Sequence, residues 1–248
     1  MEDKICKTCG STLLSVGNGG YRCLYCGNGY ATDAAHPEVM TQSEAVRRDR
    51  GADVFEENIN GVLEIVWDDG NGCVFSGSGL LLTKSGWALT NTHVVTSEDG
   101  RSCGRVAVRL AGMEVGATVE KLGDDHHGSG NGVDLALIRL DNVPSGAQVL
   151  KFADFASVRN GEKVYVIGNS LGLGTCITSG IVSDRRRNVE GDELLMTDCA
   201  VNGGNSGGPM FNESGRVIGV IVSGLVGAEG MNFAIPADTA QRFCRDIL

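Results

Sequence analysis

Short apolar runs follow one another from residue 58 towards the C-terminus, and this pattern constrains the fold more than any other feature. Each run is bounded by Gly, Asn, Asp or Ser. Such runs at roughly 8–12-residue spacing are typical of an all-β sandwich or a pair of barrels. The runs include residues 62–67, 79–83, 87–90, 106–110, 135–140, 163–167, 177–183, 194–197, 217–222 and 231–235. Only residues 238–248, which follow a proline, have the pattern of a late helix.

The composition supports a folded chain and disfavours several classes of partner. Apolar residues make up 42% of the chain and charged residues 21%, which excludes a chain that is disordered by composition. Lys plus Arg number 21 against 31 Asp plus Glu, and the net charge of −10 makes broad binding to nucleic acids or anionic membranes unfavourable. No stretch reaches the ~18 apolar residues that a membrane helix needs.

The first 30 residues contain two Cys-x-x-Cys-Gly pairs, formed by Cys6, Cys9, Cys23 and Cys26. Two pairs close to this spacing are typical of a zinc ribbon, in which four thiolates complete a closed tetrahedral shell. We therefore predict one structural Zn²⁺ per chain at these residues. Two unrelated thiol pairs, or a redox-active pair, are the alternative. Three basic residues against two acidic ones are too few to indicate nucleic acid binding, so we consider a protein partner for this segment.

Changes in composition divide the chain into three segments. Residues 1–30 form the predicted ribbon, residues 31–53 are polar and predict a linker, and residues 54–248 hold the β-rich domain. The N-terminal residues lack the apolar region of a secretory leader. Nine cysteines, several of them in Cys-x-x-Cys pairs, fit a reducing compartment better than a disulfide framework. The sequence therefore predicts a cytoplasmic protein.

Three segments of the β-rich domain carry residues suited to acyl-transfer chemistry. They read TNTHVV, GVDLALIRL and GGNSGGP, and they supply His93, Asp134 and Ser206 in that order. A serine hydroxyl is a weak nucleophile unless an imidazole takes its proton and a carboxylate orients that imidazole. The glycines around Ser206 allow successive amides to face one point, where they can stabilise an oxyanion.

The segment around Ser206 also satisfies G-x-S-x-G, the nucleophile elbow of α/β-hydrolases. That fold requires its histidine after the serine in the chain, whereas the last histidine here is His127. The order His, Asp, Ser in a strand-rich chain therefore favours a chymotrypsin-like arrangement.

Five motifs are spread over most of residues 72–240: GSGLLLTKSGWALTNTHVV, VDLALIRL, VIGNSLGLGTCITSGIVS, TDCAVNGGNSGGPMFNESGRVIGV and MNFAIP. With these motifs in this order, the sequence resembles trypsin-like serine proteases of the HtrA (Deg) type. The resemblance implies an all-β, trypsin-like pair of six-stranded barrels with the cleft between them. The barrels are expected at about 54–150 and 151–236, followed by the helix at 238–248.

The same resemblance implies roles for individual residues. It makes His93 the general base, Asp134 the carboxylate that orients it, and Ser206 the nucleophile. The backbone amides of Gly204 and Ser206 are then expected to form the oxyanion hole.

Ala200, Val201 and Gly224 are the candidate residues of the specificity pocket. Relatives that cleave after Lys or Arg carry an acid about six residues before the serine, and Ala200 occupies that position here. A cation buried at this place would have no partner, so small or medium aliphatic side chains are the expected preference. Asp198 is close enough in sequence to leave a basic preference open.

The leading hypothesis is a serine endopeptidase that cleaves proteins or peptides and uses the zinc ribbon for recruitment or regulation. The alternative is a zinc-ribbon adaptor whose protease fold is a latent or partner-activated binding module. The presence of all three residues together with the glycines favours the enzyme, because a module without catalytic demand has little reason to carry them. Neither hypothesis calls for nucleic acid or a membrane.

Overall fold

The computed structural model describes three short strands near the N-terminus and most of the chain from residue 50 onward. The described residues are 13–15, 21–23, 29–30, 50–68, 74–97, 100–123, 132–189, 191–224 and 230–248. The chain divides into two compact units, Met1–Arg48 and Asp49–Leu248. Among the helices in the described residues, none has the length and apolar character to cross a membrane.

In the first unit the described residues form a three-stranded antiparallel sheet. Its strands are β1 (Leu13–Ser15), β2 (Tyr21–Cys23) and β3 (Gly29–Tyr30), in that order across the sheet. Of the predicted zinc ligands, Cys6, Cys9 and Cys26 lie outside the described residues, as does the side chain of Cys23. The zinc ribbon therefore stays a prediction.

The second unit opens with the helix α1 (Arg50–Asn58), followed by a 3-10 turn (Ile59–Gly61). The helix begins inside segment 31–53, where the sequence predicted a linker. Val54 on this helix is fully buried and belongs to an apolar cluster with residues of both barrels. The last residues of the predicted linker are thus part of the folded unit.

A first closed barrel follows, with the strand order β4-β5-β6-β9-β8-β7. Its strands are β4 (Val62–Asp68), β5 (Val74–Leu81), β6 (Trp87–Thr90), β7 (Arg105–Leu110), β8 (Met113–Leu122) and β9 (Ala136–Leu140). Along β7 exposed and buried residues alternate, and Val106, Val108 and Leu110 point into the barrel. This period of two is the burial pattern of a strand with one face in the core.

A second closed barrel has the strand order β10-β11-β12-β15-β14-β13. Its strands are β10 (Lys163–Gly168), β11 (Cys176–Val189), β12 (Asp192–Thr197), β13 (Pro209–Asn212), β14 (Val217–Gly224) and β15 (Asn232–Pro236). The helix α2 (Ala237–Phe243) follows directly and is shorter than the predicted 238–248. The all-β pair of six-stranded barrels with a short C-terminal helix is confirmed.

The two barrels share an apolar cluster, to which Leu80 and Leu89 contribute from the first and Tyr165 and Phe211 from the second. All four side chains are at most 2% exposed, so the barrels are packed firmly against each other. The connections that carry the predicted site residues begin or end at strands next to this cluster.

Candidate active site

His93 and Asp134 lie at one end of the first barrel because β6 and β9 are antiparallel neighbours. Thr90, the last residue of β6, is paired with Ala136, the first residue of β9. His93 therefore follows β6 at the same end of the barrel at which Asp134 precedes β9. His93 is 42% exposed and Asp134 18% exposed in their side chains, which leaves the imidazole accessible to a ligand.

Both carboxylate oxygens of Asp134 are engaged by His93. The imidazole Nδ1 is 2.6 Å from Asp134 Oδ2, and the His93 backbone N–H donates to Asp134 Oδ1 at 3.1 Å. When Nδ1 carries the proton of this short contact, Nε2 is left as a free acceptor. The pair thus presents one basic nitrogen in a fixed orientation.

Hydrogen bonds within the first barrel fix the segment that carries His93. Asn91 Nδ2 donates to the Asp134 carbonyl at 2.6 Å, and Thr92 Oγ1 donates to the Leu135 carbonyl at 2.8 Å. These bonds fasten the connection after β6 to the connection before β9. The sequence motif predicted His93 and Asp134 but gave no role to Asn91 and Thr92.

Ser206 lies on a tight turn between β12 and β13 of the second barrel. We call residues 203–208 the Ser206 turn. Its Oγ donates a hydrogen bond to the Val222 carbonyl on β14, at 2.8 Å. Among the described residues no hydrogen bond joins Ser206 to His93. The three predicted residues are therefore not joined into one hydrogen-bonded chain in this conformation, and the serine hydroxyl has to rotate before it can donate to an imidazole.

Two glycines of the Ser206 turn have backbone conformations that other residues rarely adopt. Gly204 has φ +92°, and a Cβ placed on it would overlap the Asn169 carbonyl oxygen. Gly207 has φ +81°, and a Cβ there would overlap the carbonyl oxygen of Ser78 and the hydroxyl of Thr90. Both features require glycine. The turn is therefore packed closely against neighbouring backbone on both sides of Ser206.

The amides of Gly204 and Ser206 have no hydrogen-bond acceptor among the residues that the structure describes. An unpaired backbone N–H beside a cleft is a ready donor for an anionic oxygen. The turn therefore has the donors that the predicted oxyanion hole needs.

Ser78 on β5, a residue for which the sequence predicted no role, connects the first barrel to the Ser206 turn. Its backbone N–H donates to the Ser206 carbonyl at 2.8 Å, and its Oγ donates to the Gly204 carbonyl at 2.7 Å. The same Oγ accepts from the Asn169 N–H at 2.8 Å. Ser78 is fully buried. A serine between two glycines in a buried strand, as in Gly-Ser-Gly at 77–79, was the available signal.

Residues 169–175 form a turn after β10 that contacts the Ser206 turn; we call it the Asn169 turn. The Leu171 N–H donates to the Gly203 carbonyl at 2.7 Å. Within the Asn169 turn, the Gly174 N–H donates to Asn169 Oδ1 at 3.0 Å. Leu171 has φ +56°, a conformation that costs a leucine about 1–3 kcal/mol and persists only where the surrounding structure enforces it.

The three candidate pocket residues have different surroundings. Ala200 is exposed, and its carbonyl accepts from Thr178 Oγ1 at 2.9 Å, whereas Val201 is half-buried against the core of the second barrel. Gly224 ends β14, and the following residues 225–229 lie outside the described part of the chain. Asp198 accepts a hydrogen bond from the Ile181 N–H at 2.6 Å, so its carboxylate is engaged with β11.

Two buried thiols of the second unit are poor nucleophiles. Burial raises the pKa of Cys199 to about 11 and that of Cys244 to about 12. The thiolate is the reactive form of cysteine, so these residues stay protonated and unreactive near neutral pH.

Comparison with known proteins agrees with this architecture. A sequence profile described as the trypsin-like peptidase domain matches residues 77–220. A probable periplasmic serine endoprotease, DegP-like, from Rhizobium meliloti is 40% identical over 171 residues, which cover 66% of this chain and 32% of the relative. A probable periplasmic serine protease, do/HhoA-like, from Haemophilus influenzae is 38% identical over 69% of this chain and 36% of its own length.

Solved structures of the same type superpose on the chain. The HtrA-type protease AlgW with a bound tripeptide has a TM-score of 0.66 and 28% identity, over 79% of this chain and 62% of that one. The serine endoprotease from Yersinia pestis has a TM-score of 0.64 and 26% identity, over 79% of this chain and 65% of that one.

These matches and the paired barrels show that the chain belongs to the trypsin-like peptidase family. Within that family its second unit is similar to proteases of the HtrA and DegP type, as the motifs had indicated. The chain spans about a third of the length of the curated relatives that it matches.

The expectation of a cytoplasmic protein is contradicted, because the similar curated proteins are named as periplasmic. That expectation rested on cysteine usage and on the absence of a leader pattern. Both properties bear on the compartment only indirectly, so they do not outweigh the location named for the similar proteins.

Proposed function

We propose that this chain is a serine endopeptidase that cleaves proteins or peptides through an acyl-enzyme intermediate. The observation that carries the proposal is the engagement of both Asp134 oxygens by His93 beside a Ser206 turn with two unpaired amides. The names of the similar DegP-like and HtrA-type proteases support it.

In the proposed mechanism His93 Nε2 takes the proton of Ser206 as the hydroxyl oxygen attacks a peptide carbonyl. Asp134 holds the imidazole in the required tautomer and stabilises the imidazolium that forms. His93 then gives the proton to the leaving amine as the peptide bond breaks. A water, losing a proton to His93, attacks the acyl-enzyme, and His93 returns that proton to Ser206 Oγ as the bond between the acyl carbon and Oγ breaks. The amides of Gly204 and Ser206 stabilise the oxyanion in both halves of the reaction.

Rotation of the Ser206 hydroxyl precedes the attack in this mechanism. The rotation breaks its hydrogen bond to the Val222 carbonyl, and the net worth of one such bond is about 1 kcal/mol. Since 1.4 kcal/mol corresponds to about a factor of ten in an equilibrium, the rotation lowers the attacking population by less than about tenfold. This cost is small beside the rate enhancements of ~10⁶ or more that enzymes provide.

Labelling with a fluorophosphonate probe tests the proposed nucleophile. We expect covalent modification of the full chain at Ser206, located by peptide mass spectrometry, and no modification of the Ser206→Ala variant. Ser76→Ala, which removes an exposed serine of β5, is the matched control and should be labelled normally. Absence of labelling in the wild-type chain, with the protein folded, would contradict the proposed function.

The proposed preference is for small or medium aliphatic side chains before the scissile bond. The involvement of the Asp198 carboxylate with the Ile181 N–H supports this preference, because that acid is already engaged with β11. A peptide library should show cleavage after Val, Ala or Ile. A strong preference for Lys or Arg would place an acid in the pocket and contradict this part of the proposal.

We further propose that the first unit binds one structural Zn²⁺ through Cys6, Cys9, Cys23 and Cys26 and serves to recruit a protein partner or to regulate the enzyme. The spacing of the cysteines and the small antiparallel sheet of the same unit support this assignment. Four thiolates leave no open coordination position, so the metal would stabilise the unit and take no part in hydrolysis.

Metal analysis tests the zinc proposal. The full chain should contain about one zinc, and replacement of Cys23 and Cys26 by serine should remove it. Cys176→Ser, which changes an exposed cysteine of the second unit, should retain the metal. Zinc that persists after loss of Cys23 and Cys26 would refute the assignment.

A second candidate function is a latent protease fold that becomes active only with a partner. The hydrogen bond from Ser206 to Val222, in place of one to His93, is the observation that favours it. The two candidates differ in one measurement: a latent fold is labelled by the fluorophosphonate only after the partner is added.

A further inference from the structure

Glu64 on β4 of the first barrel holds the far end of the Asn169 turn. Its Oε1 accepts two hydrogen bonds from Thr175, one from the backbone N–H at 2.9 Å and one from Oγ1 at 2.7 Å. The Glu64 side chain is only 14% exposed. A carboxylate that is mostly buried and aimed at a turn of the other barrel is unusual, because burial of a charge requires partners.

The Asn169 turn has little apolar packing of its own. Leu171 is 63% exposed and Leu173 is 85% exposed, so neither leucine anchors the turn in a core. Leu171 also has the unfavourable φ of +56°. The conformation of the turn therefore depends on polar contacts with its neighbours. These are Ser78 at one end, Glu64 at the other, and the Gly203 carbonyl and the Asn202 side chain between them.

The Asn169 turn also fixes the peptide group between Gly203 and Gly204. The Leu171 N–H binds the Gly203 carbonyl and so directs that oxygen towards the turn. In a trans peptide the C=O and the following N–H point in opposite directions. The Gly204 N–H is therefore directed away from the Asn169 turn for as long as Leu171 keeps this bond. This amide is one of the two donors in the proposed oxyanion hole.

We propose that Glu64 is a positioning residue for the oxyanion hole, acting through Thr175, the Asn169 turn and the Gly203–Gly204 peptide group. The inference rests on the proposed endopeptidase function. Glu64 itself does not touch the substrate. Its loss releases Thr175, relaxes the strained Leu171 and frees the Gly203–Gly204 peptide group to rotate.

The acceptor oxygen, and not the charge, is the important property of Glu64. Arg109 is 3.5 Å from Glu64 Oε2 and is 64% exposed, so this ion pair contributes little. A glutamine can accept both hydrogen bonds from Thr175 through its amide oxygen. The conservative variant should therefore keep the turn in place, whereas alanine cannot.

The experiment compares Glu64→Ala, Glu64→Gln and Glu114→Ala. Glu114 is paired with Arg109 across β7 and β8, and its replacement removes an acid from the same surface without removing a hydrogen bond of the Asn169 turn. We expect Glu64→Ala to lower kcat about tenfold with KM within about twofold, because a misplaced oxyanion donor costs less than the ~10²–10³ of a deleted one. Glu64→Gln and Glu114→Ala should stay close to wild type.

Hydrogen exchange gives a readout that does not depend on activity. The Thr175 amide should be protected in the wild type and in Glu64→Gln, and should exchange faster in Glu64→Ala. Thr175→Val, which removes only the hydroxyl donor, serves if Glu64→Ala does not fold, and it should lower kcat in the same sense by a smaller factor.

Two results would overturn the inference while leaving the proposed function intact. One is an active wild type with equal kcat in Glu64→Ala. The other is a loss of activity in Glu64→Gln as large as that in Glu64→Ala, which would assign the effect to the charge. A folded wild type that neither cleaves peptides nor reacts with the fluorophosphonate would instead overturn the proposed function, and this inference with it.

Discussion

The two barrels hold their parts of the candidate site in different ways. In the first barrel, His93 and Asp134 are fastened to each other and to backbone of the same barrel through Asn91 and Thr92. In the second barrel, the Ser206 turn has bonds to β14, but its carbonyl groups are also held by Ser78 of the first barrel. The His93–Asp134 pair is thus held within one barrel, whereas the Ser206 turn depends on the interface between the two barrels.

This difference shows where the proposed chemistry is vulnerable. A substitution on the interface strand β5 is expected to alter the Ser206 turn even though no residue of the second barrel is replaced. No described hydrogen bond joins a residue of the second barrel directly to His93 or Asp134. Variants at the interface between the barrels should therefore impair oxyanion stabilisation more than proton transfer by His93.

The largest expected effect comes from removing one reacting group on each side of the interface. His93→Ala and Ser206→Ala should each lower kcat by up to about 10⁶, and the double variant should be no worse, because the residues act as one unit. Peptide hydrolysis at saturating substrate measures the loss, and thermal unfolding should show that all three variants are folded. Additive losses would mean that the two barrels contribute independent steps.

The next largest loss of activity is expected at Gly204, with the neighbouring Gly203 of the same turn as the comparison. Gly204→Ala places a Cβ against the Asn169 carbonyl at φ +92°, so the turn cannot keep its conformation and the Gly204 donor is lost from the oxyanion hole. We therefore expect kcat to fall by about 10²–10³, the effect of a deleted donor. Gly203→Ala is the matched control, since a Cβ there has no neighbour within 4 Å. Equal activity of the two variants would show that the turn adapts freely and that its contact with the Asn169 turn is unimportant.

A smaller effect is expected at Ser78, which tests the interface directly. Ser78→Ala leaves the Asn169 N–H and the Gly204 carbonyl without their buried partner, which should cost about 1–3 kcal/mol of unfolding free energy. Activity should fall as well, because both groups border the Ser206 turn. Ser76→Ala, two residues earlier on β5 and exposed, should change neither quantity. Denaturant unfolding and peptide hydrolysis provide the two measurements.

The smallest effect is the chemical modification of a cysteine in the core of the second barrel. We expect this core to be stable even though the Ser206 turn depends on contacts with the first barrel. With a pKa of about 11, roughly a thousandth of Cys199 is ionised at pH 8, and the thiol is also fully buried. Iodoacetamide should therefore modify the exposed Cys176 and leave Cys199 intact until the chain is unfolded. Similar rates at both positions would indicate that the second barrel opens readily.

Sequence patterns predicted the fold and the three central residues for identifiable reasons. Chemistry at His93, Asp134 and Ser206 needs particular residue types within short motifs, and these are visible without coordinates. The strand β7 could be predicted because apolar and polar residues alternate regularly along it. β8 gave no clear signal, since Val115 and Ala117 are its only buried apolar residues.

The supporting residues could not be predicted, because their partners are distant in sequence. Ser78 and Asn169 are 91 residues apart, and Glu64 and Thr175 are 111 residues apart. The only local signal for Ser78 is its position between two glycines in a buried strand, and no local pattern distinguishes Glu64 from a solvated glutamate. The aliphatic preference assigned to Ala200 and Val201 stays a prediction, because the segment after Gly224 lies outside the described residues.

Closure of both barrels has a consequence for the survival of the proposed endopeptidase among its own copies. In each described barrel every strand is hydrogen-bonded to two neighbours, so neither barrel presents a free edge. A segment can be cleaved only after it has lost its hydrogen bonds to neighbouring strands and entered the cleft of another molecule. For these strands that step requires much of a barrel to open. Self-digestion should therefore be confined to connections between strands or between the two units, while the barrels themselves resist their own activity.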